Sequence, residues 1–241
     1  MENMEKKSLI DVAYREIRDR ILSFELTPGQ AASDFAIAKQ LQMSRTPVRE
    51  AIMMLRRDGL IEPSGKGGVV APINEEEIKD LYIAREAVEC KALDILIENG
   101  LITDEFIGKL RKYNQEVERY TDENNIHLTF EPDGRLHRLI VEETGSRRLT
   151  EQMGFYALQN DRLRFLTLIS NGRAKLVPGE HEALIRALEQ RSVKKAIEAM
   201  RWHLHYTTNE YIAAIKHWPA NEWIPVVKAI EAGRTEKRNE G

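Results

Sequence analysis

Between residues 9 and 23 the apolar positions fall at Ile10, Val12, Ala13, Ile17, Ile21 and Leu22, with charged residues in the gaps. That recurrence follows the 3.6-residue turn and predicts an amphipathic helix. Thr27-Pro28-Gly29 interrupts it. Ser33 then offers an oxygen to cap a second helix, with Asp34 in its first turn and FAIAKQL as its body. A third helix is capped at Ser44 or Thr46, and Pro47 suits its first turn. Val48, Ala51, Ile52 and Leu55 make its apolar face. After Gly59 the period shortens. GLIE and GVVAPI read as two short strands, and PSGKG between them as turn. Three small helices followed by a hairpin predict a winged helix-turn-helix.

Pro72-Ile73-Asn74 closes this region. Asn74 is expected to cap a new helix, and the glutamates after it suit the positive end of a helix dipole. From there to about residue 217 no strand pattern occurs. Breaks near Gly100, Gly145, Asn171-Gly172, Pro178-Gly179 and Arg191-Ser192 divide the chain into successive helices. An all-α bundle is expected. The fold class is thus mainly α, with domains over 1–72 and 73–217. A C-terminal extension over 218–241 holds Trp218, Trp223, Ile224, Val226 and Val227, which imply some packing before a charged end.

Composition narrows the class. The chain has 241 residues, of which 42% are hydrophobic and 31% charged, the balance of a soluble globular protein. No apolar run approaches the length of a membrane span, and MENMEKKSLIDV lacks the apolar core of a secretory signal. The single Cys90 has no internal disulfide partner, sits on an apolar helical face and reads as a small buried hydrophobe. A cytoplasmic protein is expected.

A net charge of −3 does not point to nucleic acid. Locally the balance reverses. From residue 39 to 66, Lys39, Arg45, Arg49, Arg56, Arg57 and Lys66 face only Glu50, Asp58 and Glu62. In a helix-turn-helix the second helix of the pair enters the major groove of double-stranded DNA with its N-terminal residues at the base edges. Arg45 and Arg49 are four apart on that helix, hence on one face. Arginine matches guanine bidentately and also clamps phosphate. Ser44 and Thr46 can donate to phosphate, and Lys66 with Gly67 at the hairpin tip can reach the flanking backbone or minor groove.

The helical region carries a different chemistry. Asp133 and His137 stand at i and i+4 in FEPDGRLHRLI, His181 near the start of a helix in PGEHEALIRAL, and His203 beside Met200 and Leu204. One carboxylate and three imidazoles suit a divalent metal such as Zn²⁺, Ni²⁺ or Mn²⁺. Taken singly, each histidine reads equally well as a satisfied core or surface residue, and spacing leaves a joint site open. His205 falls on another face than His203, and His127 and His217 read as exposed.

The segment LTPGQAASDFAIAKQLQMSRTPVREAIMMLRRDGLIEPSGKGGVV resembles the DNA-binding domain of the GntR family of bacterial transcription regulators. It departs at Phe35, which follows Asp34 where the family usually has arginine or another polar residue. The order D-x-x-x-H, then E-H, then A-M-x-x-H-L is similar to the FCD domain of the FadR-like branch, so the resemblance spans roughly residues 9–215.

This resemblance implies that Asp133, His137, His181 and His203 hold a divalent metal, with a small carboxylate effector completing the coordination. It implies that Arg85 points into the effector cavity, against the plainer reading of an ion pair with Glu89 one turn on. Arg162 and Arg164 are further cationic candidates, and Asn160 and Tyr156 weaker ones. A homodimer reading a pseudo-palindromic operator is expected, because one winged helix touches few base pairs. A repressor follows most simply. Two other readings stand beside it: a metal-dependent enzyme, for which no base or nucleophile motif accompanies the ligands, and a metal-free regulator of the same family that senses an acyl thioester.

Overall fold

The computed structural model describes residues 9–64, 67–170 and 172–217. Lys66 and the extension over 218–241 lie outside the described residues. The chain parts into two compact units at the Ile73–Asn74 junction.

In the first unit, α1 (Leu9–Leu22) buries Ala13, Ile17 and Ile21 against α3 (Arg45–Arg57), which contributes Val48, Ala51 and Leu55. Full burial of each larger aliphatic side chain here, Ile17, Ile21, Val48 and Leu55, contributes about 1.5–3 kcal/mol before entropy is counted. Ser33 caps α2 (Asp34–Leu41), its hydroxyl accepting from the Ala36 N–H at 3.3 Å. Ser44 holds the cap position of α3 without a side-chain cap bond, so its hydroxyl is not committed to the helix end.

The hairpin pairs β1 (Ile61–Ser64) with β2 (Gly67–Val70), antiparallel, with Pro63 opposite Gly68 and Ser64 opposite Gly67. The expected turn at PSGKG is therefore shorter than the composition suggested. Two-stranded pairing leaves one side of β1 unpaired, and there a proline costs no ladder bond. The loop after α1 also joins the wing. Gly29 N–H donates to the Val70 carbonyl and Ala32 N–H to the Gly68 carbonyl, both at 2.8 Å. Gly68 has to be small, since a Cβ there would stand 2.6 Å from Ile61 Cγ2 and 3.1 Å from the Glu62 carbonyl.

The second unit is all helical among its described residues. It runs α4 (Glu75–Glu98), α5 (Asp104–Asp122), a 3₁₀ turn (Ile126–Thr129), α6 (Phe130–Glu142), α7 (Arg147–Leu163), α8 (Leu166–Ile169), α9 (Arg173–Glu189) and α10 (Val193–His217). Asn74 caps α4 through its side chain, accepting from the Glu77 N–H at 2.9 Å. Helix α10 packs on α4 and α9, α5 on α9 and α6, and α7 on α4 and α6. Ile78, Leu93, Leu96, Leu110, Leu136, Ile140 and Met200 are buried between them.

One predicted break fails. Pro178 lies inside α9, which starts five residues earlier at Arg173. A proline so near the start forgoes a single helical bond, to the Ala174 carbonyl, and the packing of α9 against α5 and α10 outweighs that loss. His181 is consequently in the third turn of its helix, not near its start.

Candidate metal centre and nucleic-acid interface

Four side chains from three helices converge inside the second unit. Asp133 and His137 come from α6, His181 from α9 and His203 from α10. One ligand atom from each lies within 4.8 Å of all the others. The ring centroids are 5.5 Å apart for His137–His181, 5.0 Å for His137–His203 and 4.9 Å for His181–His203. Asp133 Oδ1 is 3.9 Å from His137 Nε2 and 3.5 Å from His181 Nε2. Metal–ligand lengths of about 2.0–2.1 Å at tetrahedral angles separate neighbouring donors by roughly 3.3 Å, so the spacing fits a metal-sized gap.

The outer nitrogens explain which inner ones are free. His137 Nδ1 meets Glu89 Oε2 at 2.5 Å, His181 Nδ1 meets Asn114 Oδ1 at 3.2 Å, and His203 Nδ1 meets Glu180 Oε2 at 2.7 Å. Asn114 is oriented in turn by donating to the Pro178 carbonyl at 3.0 Å. Each acceptor demands a proton on Nδ1, which leaves Nε2 as a lone-pair donor. His137 Nε2 and His181 Nε2 are buried with no hydrogen-bond partner. An orphaned buried acceptor costs free energy, and a metal would relieve both. Burial, then the neighbouring imidazole of His203, pushes the His181 pKa well below its ordinary value; burial and His137 do the same to His203. Burial opposes ionisation of Asp133, but Arg164 and the imidazoles outweigh it and hold the carboxyl below the usual range. The donor set and its protonation fit a divalent ion.

Beside this cluster is a cavity of about 40 Å³, room for roughly three waters or one small anion. Arg85 on α4, Arg164 after α7 and Arg173 on α9 line it, together with Asn160, Asp133 and His203. Arg85, Arg164 and Arg173 are all buried. Both readings of Arg85 hold at once: it faces the cavity, and its Nε donates to Glu89 Oε1 at 2.8 Å. Burial alone would raise the Glu89 pKa, but Arg85 and His137 overcome this and hold the carboxyl down to about 2. Arg164 reaches Asp133 Oδ2 at 3.2 Å and Asp161 Oδ1 at 3.0 Å. Asn160 accepts from the Tyr82 hydroxyl at 3.0 Å.

Arg162 is buried but does not line this cavity, and Tyr156 is half-buried away from it. Residues 160 and 164 are one turn apart and share a face, from which 162 is rotated by more than half a turn. His205 pairs with Glu86 at 2.8 Å outside the cluster, and His127 is half-buried where exposure was expected. Cys90 is buried, as its helical face predicted.

Sequence reasoning missed Arg173, a fully buried residue of the cavity wall. Its guanidinium grips Glu180 at 3.1 and 2.7 Å and bonds Thr207 at 2.6 Å. Glu180 in turn fixes His203. Two guanidinium–carboxylate–imidazole relays therefore run from the cavity to the cluster: Arg85–Glu89–His137 and Arg173–Glu180–His203. The spacing of seven between Arg173 and Glu180 would have shown a shared helical face, had the helix not been broken at Pro178.

In the first unit, Arg45, Thr46, Arg49 and Ser44 are all exposed at the N-terminal half of α3. Arg45 Nη2 donates to both carboxylate oxygens of Asp34 at 3.0 Å. Arg45, Arg49 and Arg56 border a concave surface closed on the other side by Ser64, Gly68 and Val69 of the hairpin. Gly67 opens β2.

A winged helix-turn-helix followed in one chain by a helical bundle defines a DNA-binding regulator with a separate sensing unit. The chain belongs to the GntR family of bacterial transcription regulators, in the branch that carries an FCD domain. The model for bacterial regulatory proteins of the gntR family matches residues 9–70, and the FCD domain model matches residues 80–206. An HTH-type transcriptional regulator in an unstable DNA locus of Streptomyces ambofaciens is 28% identical over 207 residues, 86% of either chain. The HTH-type transcriptional repressor RspR of Escherichia coli is 23% identical over 192 residues, 79% of this chain and 83% of that one. The solved structure of E. coli McbR/YncC superposes with a TM-score of 0.64 at 18% identity, covering 85% of this chain and 99% of that one, a likeness of fold. The protein is accordingly a transcription regulator and not an enzyme. Among the described residues no helix is long and apolar enough to cross a membrane.

Proposed function

We propose that this regulator senses a small carboxylate metabolite bound beside a divalent metal, and that this binding sets its affinity for a DNA operator. Asp133 Oδ1 and the Nε2 atoms of His137, His181 and His203 hold the metal. Arg85, Arg164 and Arg173 supply the positive charge that draws the acid into the cavity, and Asn160 offers a polar contact. The observation that carries the reading is the pair of buried, partnerless Nε2 atoms whose Nδ1 nitrogens are already engaged. A packed core has no reason to aim two lone pairs at one gap beside a carboxylate. Bound there, the metal supplies Lewis acidity toward an anionic ligand.

Arg45 and Arg49 read base edges, Ser44 and Thr46 position the phosphates, and Lys66 with Gly67 reach from the wing. The protein works as a homodimer on a pseudo-palindromic site and acts as a repressor, as the relative RspR is named. An effector changes occupancy of the operator only through a difference in its affinity for the DNA-competent and incompetent states.

The test combines two measurements on the full chain. Metal content after purification is expected to reach one ion per chain. Fluorescence anisotropy with a duplex selected from a random-sequence pool is expected to show sequence-specific binding that small carboxylic acids shift only in the metal-loaded protein. Absent metal, or acids without effect on loaded protein, would remove the sensing half of the proposal.

A further inference from the structure

Three large apolar side chains are exposed in the described part of the first unit: Leu9, at its very start, Phe35 and Met53. The last two do not sit at an end. Phe35 is the second residue of α2 and is 65% exposed; Met53 lies four residues after Arg49 on α3 and is 53% exposed. The Arg45 guanidinium carbon is 6.0 Å from the centre of the Phe35 ring, and Arg45 is itself tied to Asp34, the neighbour of Phe35. Met53 borders the same concave surface as Arg45 and Arg49. An aromatic ring and a thioether are thus set among the cationic groups of one face.

The family of this unit, together with the exposed arginines of α3, names the occupant of that face, a DNA duplex. Along the major groove the base pairs present donors, acceptors and a single kind of apolar group, the thymine C5 methyl. The exposed Phe35 ring, 6.0 Å from the Arg45 guanidinium carbon, is complementary to that methyl group. We propose that Phe35, joined by Met53, is a specificity-determining residue that reads thymine methyl groups next to the bases met by Arg45 and Arg49. Asp34 orients Arg45 and Arg45 flanks the ring, so apolar and polar readout are positioned by one cluster. The inference rests on the assignment of α3 as the reading helix and is independent of metal and effector.

The experiment uses the full chain and a duplex selected by it from a random-sequence pool. The duplex is remade with deoxyuridine replacing thymidine one position at a time, which deletes only the methyl group. Wild type is expected to lose about fourfold in affinity for each methyl that is buried, at one or two positions. Phe35→Ala should bind the thymidine and deoxyuridine duplexes equally at one of those positions, and Phe35→Leu should keep part of the preference. A wild type indifferent to every replacement overturns the inference, as does Phe35→Ala that retains the full preference. Selection of no sequence at all overturns it too. Arg49→Ala separates the two levels: if it binds the selected duplex like wild type, the reading helix itself is misassigned. Thermal unfolding of each variant checks that the unit stays folded.

Discussion

Arginine does opposite work in the two units. Arg45 and Arg49 stand in solvent on α3, where Arg45 has one half-buried carboxylate partner, Asp34. Arg85, Arg164 and Arg173 are buried, and each is held by a carboxylate: Glu89, Asp133 and Glu180. An exposed guanidinium keeps its charge in a strongly screened medium, so its value lies in geometry presented to a large polyanion. A buried one is tolerable only when paired, and removing either partner strands the other. Identical side chains thus give a tolerant, salt-sensitive surface in one unit and a brittle, pre-organised interior in the other.

The comparison breaks most visibly in the interior. His181→Ala is expected to abolish stoichiometric metal binding by the purified chain, measured by elemental analysis after dialysis. Full occupancy in that variant would take His181 out of the set. On the surface, Arg49→Ala should weaken specific DNA binding by roughly 1–3 kcal/mol without moving the melting temperature. A large loss of stability there would mean that the arginine is structural after all. Next comes the relay. Glu180→Gln keeps an acceptor for His203 but drops the charge that Arg173 grips, and metal affinity should fall about tenfold by competition with a chromophoric chelator. The exposed control Glu198→Gln should leave that affinity unchanged.

The smallest effect contrasts two serines of the first unit. Ser33→Ala removes a working cap and should cost about 1 kcal/mol of stability in chemical denaturation. Ser44→Ala loses no cap bond, so its stability should hold while affinity for DNA drops. Equal stability losses would contradict the difference in capping between α2 and α3.

Much of this was legible in the sequence, for physical reasons. The caps at Ser33 and Asn74, the apolar stripes of α1 and α3 and the hairpin follow from local chemistry, which sequence states directly. The quartet of Asp133, His137, His181 and His203 could be listed, but its convergence depends on how three helices pack. What stayed hidden is what packing alone creates. Asn114 comes to the cluster from α5 and Glu89 from α4, each distant in sequence from the imidazole it orients. Arg173 was hidden by an error of local reading, because tertiary contacts carry α9 through Pro178 where propensity expects a stop. Pro63 misled in the same sense, since a strand with one free side accepts it.

Under the proposed function, the relays also set what kind of sensor this would be. A carboxylate entering the cavity meets guanidinium groups that already have partners in Glu89 and Glu180. That pairing fixes each guanidinium and offsets part of its charge, so the acid would meet donors that are pre-oriented but partly neutralised. Uncharged analogues would gain little from such donors. A receptor so arranged would favour charged ligands over their neutral analogues, a selectivity built into the folded interior before any ligand arrives.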